Sequence, residues 1–371
     1  MNLCRLLKCA VRRKTLVIGA LLLPGAAWAQ SSVTLYGVLD TGLLYTSKTF
    51  NPATGQNLGK SFGFVSSSLE PSTFGLSGQE DLGGGTKLKF RLESGISLSN
   101  GGFDNTNGGL FGRQAWVSLA NNLGELKAGV QFSPYILALF SSDARSMSQF
   151  GSSITVYADN TFTGAFVSNA ISYTTPNIAG VTASVMYSLG GVAGDFAAGR
   201  QYSASVQYDN GSLFANAAIY DSSQSSDTLE NQTLFVAPFE GRTIGLGYHF
   251  STLDVKGSVT NYKAPETFID NTIGGGDNYI WNIGLNYFIT PALQVNSGVW
   301  YSKDGHDSNN HGLLAAAGVS YFLSRQTSLY AQLGVVNNHG KSDLGLCVEA
   351  PAQEGAPGTT VGANIGILHK F

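Results

Sequence analysis

The 371-residue sequence has few charges, since Asp, Glu, Lys and Arg make up 12% of it against about 25% in average soluble domains. Basic residues number 21 and acidic residues 24, so the chain has no basic excess with which to neutralise the phosphates of a nucleic acid. This balance argues against a nucleic-acid partner. Apolar residues at 43% and aromatic residues at 11% are too abundant for a disordered chain, so we expect it to fold.

Cysteine is also scarce, and two of the three cysteines lie within residues 1–29, which have the features of a secretory signal peptide. Basic residues precede an apolar run at 16–23, and a small-residue cleavage motif, Ala-Trp-Ala, follows at 27–29. The run is too short for a membrane-spanning helix, which needs about 20 residues. Cleavage before Gln30 would leave Cys347 as the single cysteine, which excludes both a disulfide within the chain and a cysteine-rich metal site.

Long apolar runs are missing as well. Residues 160–194 carry no charge, yet Ser, Thr and Asn recur through them and Pro176 interrupts them, so no spanning helix fits. Within 181–189, apolar residues occupy every second position and mainly polar residues the positions between, and 253–260 and 361–367 show the same alternation. A period of two indicates strands with one apolar and one polar face.

About sixteen such segments follow one another in the chain. They lie near 33–47, 72–80, 84–98, 110–120, 124–132, 168–175, 180–190, 200–209, 211–221, 241–250, 251–262, 278–288, 291–302, 312–323, 325–338 and 359–371. Tight glycine-rich turns, such as 82–85, alternate with long polar loops, such as 48–71. Short turns at one end and long loops at the other are typical of outer-membrane barrels. The sequence therefore predicts one all-β domain over 30–371: a 16-stranded antiparallel transmembrane β-barrel with short periplasmic turns and long outer loops.

A soluble antiparallel sandwich is the alternative fold, because its strands alternate too. The polar faces here are poor in Lys and Glu, and the strands are too many for one sandwich. Tyr279 and Tyr287 also share the apolar face of one segment. Eight residues span about 20 Å vertically at the usual strand tilt, close to the separation of the two aromatic girdles of a membrane barrel. These features favour the barrel over two stacked sandwiches.

Six short stretches, taken in order and spacing, make the sequence resemble the trimeric general porins of Gram-negative bacteria such as Burkholderia and Neisseria. They are SVTLYG at 32–37, GQEDLGGG at 78–85, LESG at 92–95, LFGRQAWV at 110–117, NAISY at 169–173 and GILHKF at 366–371. The resemblance implies a homotrimer in the lipid of the cell outer membrane, folded there by the outer-membrane assembly machinery. It further implies that the terminal Phe371 acts as an assembly signal.

Sixteen strands enclose an aqueous channel, because wall side chains cannot fill an interior of that width. The segment 134–167, after the fifth strand, resembles the third loop of the family, which folds inward and narrows the lumen. Its charged residues are Asp143, Arg145 and Asp159, which we expect to face the pore.

The third strand carries four charges on one face, and we expect all of them in the lumen: Lys87, Lys89, Arg91 and Glu93. These side chains are not expected to face lipid, because each Lys or Arg on the lipid face at the membrane midplane destabilises a barrel by about 2 to 4 kcal/mol. Arg113 is placed in the lumen by resemblance alone, because strict alternation would turn it outward with Ala115.

The predicted function is a passive, water-filled diffusion channel for small hydrophilic solutes and ions. A substrate-specific outer-membrane channel is the alternative. A barrel enzyme of phospholipase or protease type has less support, because none of the five histidines forms a known metal or nucleophile motif. We therefore expect no catalysis, no metal and no cofactor.

The expected ion selectivity is weak, with a lean toward cations. The family usually has arginines at the positions of Thr73, Val130 and Phe166, and this chain lacks all three. Asp143 and Asp159 would then outweigh the cations of the third strand.

Overall fold

The computed structural model describes residues 32–105, 108–160, 163–223, 225–229, 232–236, 238–264, 276–349 and 352–371. Within them the elements are β1 Ser32–Thr46, β2 Phe50–Asn51, β3 Gln56–Asn57, β4 Ser61–Ser66, β5 Thr73–Gly83, β6 Thr86–Gly95, β7 Gln114–Asn121, β8 Gly124–Phe132, α1 Pro134–Ser142, α2 Ser153–Asn160, β9 Phe166–Thr174, β10 Val181–Ser188, β11 Gln201–Asp209, β12 Leu213–Ser222, β13 Ser225–Leu229, β14 Gln232–Val236, β15 Phe239–Phe250, β16 Leu253–Lys263, β17 Asp277–Thr290, β18 Leu293–Asp304, β19 His311–Phe322, β20 Thr327–His339 and β21 Gly358–Lys370. The signal-peptide prediction falls on residues outside this description.

The large sheet closes on itself. In the described part of the chain it contains seventeen strands, each antiparallel to its neighbours, and β21 pairs back with β1, where Thr41 lies opposite Ile367. Two of the seventeen, β4 and β5, pair with successive parts of β1 and form one barrel strand interrupted at residues 67–72. The described strands thus form the closed 16-stranded antiparallel barrel that the sequence predicts.

The interruption in that strand is explained by hydrogen bonds to a side chain of β1. Ser67 has a φ of 60°, and the carboxylate of Asp40 on β1 accepts hydrogen bonds from the backbone N–H groups of Leu69, at 2.5 Å, and Glu70, at 2.7 Å. These backbone groups bond a side chain in place of a neighbouring strand. The prediction of a loop over 48–71 is wrong at β4, because the alternation of so short a strand is hard to recognise in the sequence.

The two faces of the barrel differ in chemistry. Apolar side chains on one face are exposed, including Val185 at 54%, Ile244 at 68% and Ile283 at 64%. Polar side chains on the other face, such as Asn296 and Gln332, are buried. A closed barrel has one inner face, and α1 and α2 lie against the polar one, so the polar face lines the interior and the apolar face meets lipid.

The helices α1 and α2 belong to the connection between β8 and β9 and have nine and eight residues. No helix in the described residues is long and apolar enough to cross a membrane.

Candidate pore lining

The loop between β8 and β9 folds into the barrel and begins with a capped helix. Ser133 accepts a hydrogen bond at its Oγ from the N–H of Ile136, at 3.1 Å, and Pro134 occupies the first helical turn, where its missing N–H costs nothing. The wall holds this helix directly: Asn216 donates to the carbonyl of Ala138 at 2.7 Å. The helix is therefore fixed to the wall along one side.

Arg145 anchors the middle of the loop. Its guanidinium donates to Asn296 Oδ1 at 2.9 Å, to the carbonyl of Gly151 at 2.6 Å and to Gln332 Oε1 at 2.6 Å. The residue is 2% exposed. Burial lowers the pKa of Arg145 to about 10, with the nearby Asp143 carboxylate opposing the shift, so the side chain stays charged at neutral pH.

Asp143 is buried as well, at 1% exposure. One carboxylate oxygen accepts from the N–H of Arg145 at 2.6 Å, and the other accepts from the N–H of Ser153 at 2.7 Å, at the start of α2. A negative charge at that position is favoured by the helix dipole.

The expectation that Asp143 and Arg145 face the pore is therefore corrected. Arg145 binds the loop to the wall through Asn296 and Gln332, and Asp143 accepts backbone hydrogen bonds within the loop. Asp159 belongs to α2, but its side chain lies outside the described part of the structure.

A second loop, between β20 and β21, also folds inward, and no sequence pattern predicts this. Its Leu346 and Cys347 are 1% exposed. The backbone of this second inner loop pairs with that of the first inner loop, which is the connection between β8 and β9. The N–H of Gly151 donates to the carbonyl of Leu346 at 2.8 Å, and the N–H of Val348 donates to the carbonyl of Gln149 at 2.9 Å. The inner loops thus support each other.

The charged face of β6 belongs to the same inner surface as the loop contacts. Register places Gln332 opposite Asn364, and Asn364 opposite Leu44 of β1. Tyr36 lies eight residues before Leu44 and thus on the same face, and its hydroxyl donates to Glu93 at 2.9 Å. Glu93 shares its face with the other three charges of β6, so all four belong to the face of the sheet that carries Tyr36 and Gln332.

The lumen face of β6–β8 is linked by ion pairs and ring contacts. Lys89 lies 3.4 Å from the Glu125 carboxylate, and both side chains are partly exposed. Arg91 lies over the ring of Tyr36 at 5.0 Å, and Lys127 over that of Trp116 at 4.6 Å. Such cation–π contacts hold the long side chains against the wall.

Arg113 contacts the charged face of β6, although strict alternation would turn its side chain the other way. It precedes β7, which begins at Gln114, so the parity of that strand does not govern it. Its Nε lies 3.1 Å from Glu93 Oε1, and its guanidinium lies 4.8 Å from the centre of the Phe166 ring. Arg113 is thereby joined to the charges of β6.

Sequence reasoning missed Glu125 and Lys127, although their alternation with Leu126 was a usable signal. It also missed the exposed side of α1, where Leu137 is 47% and Phe140 38% exposed. No group of three or more metal-binding side chains occurs among the described residues.

A closed antiparallel barrel with an apolar outer band, a polar interior and an inward loop is the architecture of an outer-membrane channel. The family model for Gram-negative porins matches residues 15–341. The chain belongs to this family.

Individual relatives agree with this assignment. Outer membrane porin protein 32 of Delftia acidovorans is 30% identical, covering 97% of this chain and all of the relative. The major outer membrane protein P.IB of Neisseria meningitidis is 25% identical over 94% of this chain and 96% of the relative. An anion-selective porin from Comamonas acidovorans has a similar structure, with a TM-score of 0.75 and 26% identity over 92% of this chain and all of the other.

The fold and the family together define the function. The protein is a porin of the cell outer membrane and forms a passive, water-filled diffusion channel for small hydrophilic solutes and ions. Its relatives are channels, and the family points to a channel rather than to an enzyme.

Proposed function

We propose that the channel has a weak preference for anions, set by the lumen face of β6–β8 and the adjoining Arg113. The observation that carries this proposal is the charge balance there: five cations, Lys87, Lys89, Arg91, Arg113 and Lys127, against two carboxylates, Glu93 and Glu125. Each carboxylate is paired with one of the cations. The local excess is therefore positive.

This proposal reverses the cation lean expected from the sequence. That expectation depended on Asp143 facing the pore, and this carboxylate is buried and accepts two backbone hydrogen bonds. A charge at the lumen surface acts on a passing ion within about 8 to 10 Å, beyond which salt screens it. Charges on the lining therefore count for more than the net charge of the whole chain. The similar structure of an anion-selective porin supports the same direction.

Solutes permeate by passive diffusion and are selected by their size at the constriction. The two inner loops occupy part of the cross-section, and the charged wall biases which small ions enter the remaining space. No step requires binding energy or a chemical reaction, so we propose that the protein has no catalytic activity.

The test is the reversal potential of the reconstituted channel in a KCl gradient. We expect chloride to permeate more readily than potassium, and the double variant K89Q/R91Q to lose most of that preference. The matched control is R242Q. Arg242 is an exposed cation on the outward-facing side of β15, where it pairs with Glu240. A wild-type channel that prefers potassium, or a control that changes as much as the double variant, would contradict the proposal.

We also propose that the channel is a homotrimer in the outer-membrane lipid. Trimeric state is typical of porins, and the outward faces of β1 and β4 expose large apolar side chains, including Phe62 and Phe64. Analytical ultracentrifugation of the detergent-solubilised protein should give three chains per particle.

Phe371 is proposed as the signal read by the assembly machinery. Its N–H donates to the carbonyl of Gly37 at 3.1 Å, and its carbonyl accepts from Gly37 N–H at 3.0 Å, so it closes the barrel against β1. F371A should slow membrane assembly, whereas F371W should restore it. We propose in addition that residues 1–29 are removed on export, so that amino-terminal sequencing of the mature protein begins at Gln30.

A further inference from the structure

The helix α1 presents two apolar sides, only one of which is needed to seat it. Toward the wall it buries Tyr135, Ile136, Ala138 and Leu139. On the opposite side Leu137 and Phe140 are exposed, and because the helix lies inside the barrel this side faces the lumen.

The buried side of α1 and the hydrogen bond from Asn216 to Ala138 fix the helix to the wall, and Leu137 and Phe140 lie on its other side. A serine at either position would be compatible with the helix and would interact better with water. An apolar surface in an aqueous passage fits a solute that carries an apolar group.

The apolar side of α1 is continuous with the cationic wall. The ring of Phe140 lies 6.3 Å from that of Phe132, and the Phe132 ring lies 5.1 Å from that of Phe166. The guanidinium of Arg113 lies over the Phe166 ring at 4.8 Å. One path of contacts therefore joins the apolar helix face to Arg113, which is paired with Glu93 on the charged face of β6.

We propose that the lumen contains a weak binding site for aromatic monocarboxylates. The aromatic ring would lie on Leu137 and Phe140, and the carboxylate would face the cations of β6–β8. The proposal rests on the anion preference proposed above and adds an apolar contact to it. A site of this kind favours one chemical class of anion by holding it longer near the constriction, and it leaves other small ions able to pass.

The probes are sodium benzoate, sodium acetate and the uncharged benzyl alcohol, added to single channels conducting KCl. We expect benzoate to reduce the current saturably, with a half-blocking concentration about five- to tenfold below that of acetate, which is the range an aromatic contact supplies. Benzyl alcohol should block weakly, because it lacks the charge.

The deciding variant is L137S/F140S, and its matched control is L126S, which removes an exposed leucine from the outward face of β8. We expect the double variant to raise the half-blocking concentration of benzoate to that of acetate, while the half-blocking concentration of acetate stays near its wild-type value. The control should behave as wild type.

Two results would overturn the site: equal block by benzoate and acetate in wild type, or an unchanged difference between them in L137S/F140S. Both leave the proposed anion preference standing if the reversal potential in KCl still favours chloride. A wild-type channel that favours potassium would instead overturn the anion preference itself.

Discussion

The guanidinium of Arg145 lies 2.6 Å from Oε1 of Gln332, a residue 187 positions further along the chain. This hydrogen bond joins the first inner loop to β20, on a part of the wall remote in sequence from the strands that flank the loop. Gln332 also donates through its Nε2 to the carbonyl of Ser68 at 3.1 Å, at the interruption between β4 and β5. The position of the constriction is thus fixed by residues from three separate parts of the chain.

Replacing Arg145 should loosen the inner loop. R145Q would leave the carbonyl of Gly151 and the amides of Asn296 and Gln332 without their charged partner, and each buried group left unsatisfied costs about 1 to 3 kcal/mol. We expect greater open-channel current noise and frequent sub-conductance steps in single-channel recordings. S146A, at the exposed neighbouring position, is the control and should record as wild type. A quiet R145Q channel would show that the loop does not depend on this contact.

Asp143 should affect loop order and leave selectivity unchanged. D143N keeps one of the two acceptor oxygens, so either Arg145 or Ser153 loses its hydrogen bond while the lumen surface keeps its charge. The reversal potential in a KCl gradient should match that of wild type, and the current noise should rise. A shift of the reversal potential toward anions would mean that this carboxylate acts on ions in the pore.

The orientation of β10 can be tested with one pair of substitutions. Val185 is exposed on the outward face, so V185R would place a charge against lipid at a cost of about 2 to 4 kcal/mol near the midplane. Ser184 points to the lumen, where its hydroxyl lies 2.9 Å from that of Thr174, and S184R would meet water there. Heat-modifiability gels should show impaired assembly for V185R alone. Equal behaviour of the two variants would contradict the assignment of faces.

The second inner loop should become less protected as the pH rises. Burial and the nearby Asp104 raise the pKa of Glu349 to about 7, so the folded loop favours the neutral acid. The resulting stabilisation is complete below the ordinary pKa of a glutamate and is lost as the pH rises through about 7. The side chain is partly open to water, which reduces the effect.

Hydrogen exchange read by mass spectrometry, corrected for the intrinsic exchange rate at each pH, measures this directly. Protection of the peptide spanning 344–348 should fall between pH 5.5 and pH 8 in wild type and stay level in E349Q. A pH dependence that persists in E349Q would assign the effect to another group.

The barrel strands could be predicted from the amino-acid sequence. Period-two alternation is a local property, so fifteen of the sixteen barrel strands could be located to within a few residues from it, and the exposed Val185 and Ile283 lie on the face that alternation places toward lipid. The exception is the strand formed by β4 and β5, of which only the β5 half is predicted. This strand is interrupted by hydrogen bonds to Asp40, which belongs to another strand. The charges of β6 could be placed on one face for the same local reason.

The roles of the loop residues, in contrast, became apparent only in the three-dimensional structure. Whether Asp143 and Arg145 face water or are buried depends on where the loop meets the wall, and its partners Asn296 and Gln332 lie more than a hundred residues away. The inward fold of the last loop and the route of Arg113 to Glu93 depend equally on distant partners. Alternation of residue types along a strand reflects its pleat, which is a local property. The conformation of a loop depends instead on hydrogen bonds with residues that are distant in the sequence.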